Sequence, residues 1–147
     1  MAIAEFQNSL PMMLFRALDH IMPKFRIIFK EFGITEQQAR IMRILWQYKT
    51  VSFTKLSSLT LISPPSLIGV VDRMVKNGLL LRTVSDIDRR IIIISLTKKG
   101  AALETQILPK VESVYCEIEE SMGATDLEEI LILLEKVSSI SKHKEIK

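Results

Sequence analysis

The sequence predicts a mainly helical α+β fold in which long helices at both ends enclose short helices and one small β-hairpin. Three observations predict it. Apolar residues recur at three- and four-residue steps through both ends of the chain, the period of a helix buried on one face. Two shorter segments between them open with cap-forming residues, TEQQ at 35–38 and SPPS at 63–66. One pair of β-prone runs flanks the charged segment SDIDRR at 85–90.

At 147 residues the chain has the length of a single domain, so one domain spanning 1–147 is the expectation. In the first helix Leu10, Leu14, Ala17, Ile21, Phe25, Ile28 and Phe32 share a stripe. Pro23 is expected to bend or divide that helix, and Gly33 to stop it. Thr35 and Gln38 form a capping-box pattern for a helix running to about Gln47, with Ile41, Ile44, Leu45 and Tyr48 inward. A short helix is expected at Thr54 to Leu61, buried through Leu56 and Leu59.

Ser63 is a candidate N-cap for the next helix, and prolines suit a first turn, where a missing N–H costs little. Leu67, Val71, Met74 and Val75 give its inward face, and Asn77-Gly78 ends it. Gly69 stands in mid-helix, where glycine costs roughly 1 kcal/mol relative to alanine, so it asks for a reason. Leu79 to Val84 and Ile91 to Leu96 read as the hairpin strands, with Ser85–Arg90 at the tip. A strand sends alternate residues to opposite faces, so the run Ile91 to Ile94 predicts burial on both sides of the hairpin's base.

Thr97-Lys98-Lys99-Gly100 opens a helix carrying Leu103, Ile107, Val111, Val114, Ile118 and Met122. Pro109 is expected to kink it and Gly123 to end it. Thr125 and Glu128 then look like a capping box for a last helix with Leu127, Ile130, Leu131, Leu134, Val137 and Ile140. The tail SKHKEIK is expected to fray.

Composition narrows the function classes. The apolar stretches are interrupted by charges well before the roughly 18 residues of a membrane span. The first residues lack the basic region and cleavage site of a signal peptide, and a single cysteine fits a reducing cytoplasm. Two distant histidines and one cysteine argue against a zinc sensor, and no catalytic constellation or phosphate loop is present, so neither an enzyme nor a metal or cofactor is expected. A redox sensor needs an accessible thiolate; Cys116, between Tyr115 and Glu117 in a helix, is read as structural. The net charge is only +3, yet Arg82 to Lys99 holds five basic residues against two acids, a surplus that equals that of the whole chain. Basicity is therefore concentrated on and beside the hairpin.

Helix, short helix, capped helix and hairpin, in that order over residues 35–100, define a winged helix-turn-helix. Such an arrangement lays the capped helix in a DNA major groove with the hairpin beside it as a wing. The stripes at 1–32 and 101–142 exceed what so small a lobe covers. They are expected to bury each other across a two-fold axis in a homodimer, the alternative being that they fold back on their own domain.

The segments ITEQQARIMRIL, SPPSLIGVVDRMVKNGLL and above all DRRIIIISLTKKG resemble the MarR family of bacterial transcriptional regulators over nearly the whole chain. Within that family, TEQQ and the Gly-Leu-Leu run look most like regulators of aromatic-acid catabolism, such as the homoprotocatechuate repressors. The resemblance implies a homodimer held by terminal helices, a recognition helix at about Ser63–Gly78, and a wing arginine in the minor groove. It also implies repression that a small ligand or an oxidant relieves. The family often has polar or basic side chains where Gly69 and Val70 stand, which shifts the expected readout toward shape and methyl contacts.

The candidate DNA-facing residues follow. Ser63, Pro65 and Ser66 start the recognition helix, and free N–H groups there suit a phosphate. Gly69 lets a backbone approach closely, or relieves crowding between helices. Val70 is placed to touch a thymine methyl, and Arg73 to reach a phosphate or a guanine edge. Lys55, Lys76 and Lys98 are candidate phosphate contacts. At the wing tip Arg89 and Arg90 project toward a minor groove whose negative potential attracts guanidinium, with Arg90 expected to enter. Asp88, which phosphate repels, is expected to pair with Arg90 and hold the tip. The plain alternative is a solvated turn with surface ion pairs of about 0–1 kcal/mol.

An aromatic carboxylate effector needs an apolar slot with an arginine. In the family such sites lie near the first, second and fifth helices. That implies Met13, Arg16 and His20 on the first helix and Arg40 and Arg43 on the second, although Arg16 and His20 also read as ordinary polar surface. The expected partners are double-stranded DNA, a second copy of the chain and a small-molecule effector, with no membrane. The rival reading is a protein-interaction module that keeps the winged scaffold without binding DNA specifically.

Overall fold

The computed structural model describes residues 5–140, so the tail segment SKHKEIK lies outside the described residues. After a 3-10 turn at Phe6–Asn8, the elements are α1 (Leu10–Glu31), α2 (Glu36–Tyr48), β1 (Thr50–Ser52), α3 (Phe53–Thr60), α4 (Pro64–Lys76), β2 (Leu80–Val84), β3 (Ile92–Leu96), α5 (Lys98–Ala102), α6 (Glu104–Met122) and α7 (Ala124–Ser138). The chain divides into two compact units after Lys110.

In the first unit one core gathers side chains from six elements. Ile41, Met42 and Leu45 of α2, Leu56 of α3, Leu67, Val71 and Met74 of α4, Leu80 of β2, Ile94 of β3 and Ile107 of α6 are fully buried. Each such burial contributes about 1.5–3 kcal/mol. The capping box forms as the sequence predicts: the Thr35 hydroxyl accepts from the Gln38 N–H (3.2 Å), and the Gln38 side-chain oxygen accepts from the Thr35 N–H (3.1 Å). Two inward assignments differ. Tyr48 is 42% exposed, lying under the Lys55 ammonium at 4.8 Å, and Leu59 is exposed as well. Each ends a helical stripe, where the helix has begun to leave the core.

Pro23 does not divide α1, which runs unbroken through it. A proline removes one backbone bond, and the burial of Phe25, Ile28 and Phe29 just beyond holds that turn in place. The antiparallel sheet has three strands in the order β1-β3-β2, one more than the sequence predicts. Val51 pairs with Ile94, and Ile94 with Arg82. A three-residue strand has no readable alternation; β3's free edge makes Thr50–Ser52 a strand. Of the four isoleucines Ile94 is buried, while Ile91 and Ile92 are exposed. Ile93, on the opposite face, is half-buried, so cover on both faces is partial and confined to the hairpin's base, while Ile91 and Ile92 nearer the tip are exposed.

The segment Thr97–Gly100 locks the hairpin to the helices. The Thr97 hydroxyl donates to the Gly78 carbonyl (2.6 Å) and accepts from the Gly100 N–H (3.0 Å). A side chain at Gly100 would collide with the Leu79 carbonyl oxygen, so only glycine fits. The Gly100 carbonyl in turn accepts from the Trp46 indole N–H at 3.0 Å. The helix opened here breaks at Leu103, between α5 and α6, and continues through Pro109. Pro109 costs one backbone bond, and α6 keeps its helical course through it.

In the second unit Val111 and Val114 are buried, but α7 buries none of its residues. The expected cap at Thr125 is displaced. Gly123, at φ +93°, separates the helices, and α7 begins directly at Ala124 with Thr125 in its first turn. Cys116 is exposed on α6.

Candidate nucleic-acid interface

The outward face of α4 carries Ser66, Gly69, Arg73 and Lys76, at steps of three, four and three residues, which puts them on one stripe. Val70 does not belong to it. Its side chain is 3% exposed and sits in the core with Leu67, Val71 and Met74, so the thymine-methyl contact assigned to it is not available. The apolar residue that does face outward is Ile68, half exposed one position from Gly69. A broad inward face of four buried residues in one helix explains the error, because it reaches one position further round than a narrow stripe.

At the start of α4 the Ser63 hydroxyl donates to the Ser66 hydroxyl (3.1 Å) and does not cap the backbone. Pro64 and Pro65 have no N–H, so the first turn offers an anion fewer donors than an ordinary helix start. A Cβ at Gly69 would meet only the Arg73 guanidinium, at an ordinary 3.6 Å, and no neighbouring helix. Relief of helix crowding therefore does not account for Gly69. What the missing side chain leaves is a smooth strip of helix over which Arg73 lies. Lys55 and Lys76 are exposed, Lys76 in the last turn of α4, where a cation also favours the helix dipole. Asp72 of α4 pairs with Arg82 of β2, joining the recognition helix to the wing.

The wing tip is an ordered turn. The Ser85 hydroxyl accepts from the N–H groups of Ile87 (3.2 Å) and Asp88 (3.4 Å), and the Ile91 carbonyl accepts from the Ser85 N–H (2.9 Å). Asp88 Oδ1 accepts from the Arg90 backbone N–H (3.0 Å) and Nε (3.1 Å), and Oδ2 from Nη2 (2.9 Å). This is the pairing the sequence predicts. Hydrogen bonding to the Arg90 side chain, then to its backbone, lowers the Asp88 carboxyl below its usual value, and Asp88 raises that of Arg90 in return. Arg90 remains 91% exposed on its side chain, so it is held without being covered. Arg89 makes no hydrogen bond or ion pair with another described residue and keeps its whole charge available. Ile87, 98% exposed, stands at the apex.

The residues assigned to an effector separate into two places. Met13, Arg16 and His20 are exposed on α1, where Arg16 donates to the Gln7 carbonyl (2.9 Å) and to the Met13 sulfur (3.6 Å) and His20 Nδ1 lies 2.9 Å from the Arg16 carbonyl. Arg40 and Arg43 line a cleft of about 400 Å³ with Ile44, Trp46, Gln47, Leu59, Thr60, Glu104 and Leu108, and the α1 residues are not part of it. Sequence reasoning missed Trp46, Leu59 and Leu108, which come from three helices and share no local pattern. Arg40 Nη1 donates to the Thr60 carbonyl at 2.8 Å, and its Nε is buried without a partner among the described residues.

A model of the MarR family matches residues 34–92, which hold α2, the recognition helix and the wing through the start of β3. The homoprotocatechuate degradative operon repressor of Escherichia coli is 36% identical over 138 residues, 94% of this chain and 93% of that protein. The chain belongs to the MarR family. The HTH-type transcriptional regulator FarR of Neisseria gonorrhoeae is 34% identical over 88% of this chain and 86% of its own length. The crystal structure of NadR in complex with 4-hydroxyphenylacetate is 32% identical, with a TM-score of 0.81 over 96% of this chain and all of that one. These relatives are similar to the chain over most of its length, well beyond the winged lobe. Among the described residues no helix is long and apolar enough to cross a membrane.

Proposed function

We propose that this chain is a transcriptional repressor that binds a palindromic operator as a homodimer and is released by a small aromatic carboxylate. The observation that carries the DNA-binding half is the wing tip, where Asp88 presets Arg90 beside the unpaired cation of Arg89. A pre-ordered tip loses little freedom on entering a groove, and a guanidinium suits the negative potential of a narrow A·T-rich minor groove. Ser66, Gly69, Arg73 and Lys76 then face the major groove, with Ile68 in place of Val70 as the apolar contact. Ser63, Pro65 and Lys55 flank the backbone.

The terminal regions, residues 1–32 and 101–142, hold the two copies together, and residues 35–100 read the DNA. Exposed Phe15, Leu18 and Ile27 on α1 and Leu131, Ile132 and Leu133 on α7 are the apolar surface such a dimer covers. The effector reading rests on the cleft at Arg40 and Arg43, which offers guanidinium groups beside Trp46 and Leu108. It is supported by the aromatic acids named with NadR and with the homoprotocatechuate repressor. Met13, Arg16 and His20 would join the site from α1, on the part of it that a single copy leaves open. The chain acts in the cytoplasm, where its DNA is, and regulates without catalysis.

Selection of DNA sites from a random pool, repeated with 4-hydroxyphenylacetate and related aromatic acids, tests this. Recovery of an inverted repeat whose affinity falls steeply with salt, and whose recovery drops with an acid present, is the expected result. An enriched pool with no common sequence would return the chain to the protein-interaction alternative.

A further inference from the structure

The α3–α4 turn, which delivers the recognition helix, is short, running from Thr60 to Pro64. Thr60 ends α3, and the terminal carbonyls of a helix have no partner within it. Leu61 follows at φ +57°, the left-handed region that non-glycine residues occupy only when their surroundings hold them there. Its own side chain is 86% exposed and supplies no such hold. Two hydrogen bonds do, together with the burial of Thr60 and Ile62 on either side of it. Ser57, within α3, donates to the Ile62 carbonyl (2.6 Å), and Arg40, from α2, donates to the Thr60 carbonyl (2.8 Å). Two residues beyond Ile62, α4 begins.

Arg40 is also poorly served where it is. Its guanidinium makes one bond to a neutral carbonyl while Nε is buried with no acceptor among the described residues. A buried donor left unmade is unfavourable, and a guanidinium binds a carboxylate best with two parallel N–H groups. The same side chain lines the cleft beside Arg43 and Trp46, and Thr60 lines it too. A carboxylate there offers two charged acceptors. They compete with the neutral Thr60 carbonyl for the same fork, and the charged acceptors bind a guanidinium more strongly.

We infer that Arg40 is a positioning residue for operator binding: bonded to Thr60 it sets the turn that aims α4, and drawn to an anion in the cleft it lets that turn go. The anion half rests on the effector reading above. One side chain with two competing partners is a two-state element, and a ligand biases it by its preference for one state.

The test uses the full chain, an operator from the selection, and 4-hydroxyphenylacetate as the probe. Trp46 is the single tryptophan and lines the cleft, so its emission reports occupancy separately from DNA affinity, which fluorescence anisotropy measures. In the wild type, probe occupancy should weaken operator binding by about 5- to 150-fold, the usual range of such coupling. Arg40→Met should bind the operator without probe as weakly as the probe-saturated wild type does, and saturating probe should weaken it no further. Arg40→Lys, which can still donate to Thr60, should recover most of the lost affinity, a rescue that a general packing defect would not show. Should Arg40→Met melt below the assay temperature, Arg40→Gln takes its place. Wild-type operator affinity in the Met or Gln variant, with a full response at saturation, overturns the role of Arg40 and leaves the effector reading standing. No emission change and no loss of DNA affinity in the wild type overturns the effector reading. The probe-free loss in the neutral variant, with its rescue by lysine, then decides the positioning role alone.

Discussion

Helix α2 buries Gln38, Ala39, Ile41, Met42, Leu45 and Trp46, whereas α7, with Leu127 and the unbroken run Ile130 to Leu134, buries nothing. Both are amphipathic in sequence. The first lies in the centre of a lobe with its own core. The second carries a wide apolar face beside Asp126, Glu128, Glu129, Glu135 and Lys136, yet in one copy that face is open to water. A hydrophobic stripe thus states that a face must be covered, and says nothing of whether the cover comes from the same chain.

The largest effect that sharpens this contrast is loss of the dimer. Leu131→Asp with Leu133→Asp should give a monomer in sedimentation, with operator affinity reduced by roughly 10³-fold toward the non-specific level. Circular dichroism should still show a folded winged lobe; a persisting dimer would place the interface elsewhere. On the α2 side, Leu45→Ala empties a site that is fully buried and should lower unfolding stability by about 2–5 kcal/mol in a denaturant titration. A loss below about 1 kcal/mol would mean that α2 does not anchor the core.

Smaller effects probe the DNA-facing side. Replacing both Arg89 and Arg90 with alanine should weaken operator binding by about 10- to 100-fold and flatten the slope of log affinity against log salt by roughly two. Unchanged affinity would remove the wing from the interface. The least effect concerns Asp88. Its pKa is lowered in the folded tip by the bonds to Arg90, so the pairing is complete above the usual value of 3.8 and is lost as pH falls through the lowered value. Arg90, raised, stays charged throughout. Its Nε–H resonance should therefore hold steady from pH 7 down to about 4 and move only below that. A midpoint at or above the usual 3.8 would show that the pair does not form in solution.

How far the letters reached depends on the span of the contact involved. The Thr35–Gln38 box and the Asp88–Arg90 clasp join residues three and two apart, so the residue types nearly dictate the geometry. The Thr97-to-Gly100 turn was readable for the same reason, although why it needs glycine was not: the obstacle is the Leu79 carbonyl, on another element. Val70 was misplaced because an outward position inferred from helix period alone takes no account of how wide the neighbouring core is. The strand Thr50–Ser52 exists because β3 offers it an edge, and the cleft draws on residues from 40 to 108.

The sequence by itself determined the order of the main helices and the hairpin, the family, the concentration of charge on the wing and the clasp at its tip, because these follow from periodicity and near-neighbour chemistry. Tertiary structure alone decided which isoleucines are covered, that Ile68 and not Val70 faces outward, and that Arg40 spans twenty residues to hold the turn before the recognition helix. Those outcomes depend on which surfaces meet, and the meeting of distant surfaces is set by the packing of the whole lobe rather than by any short stretch of chain.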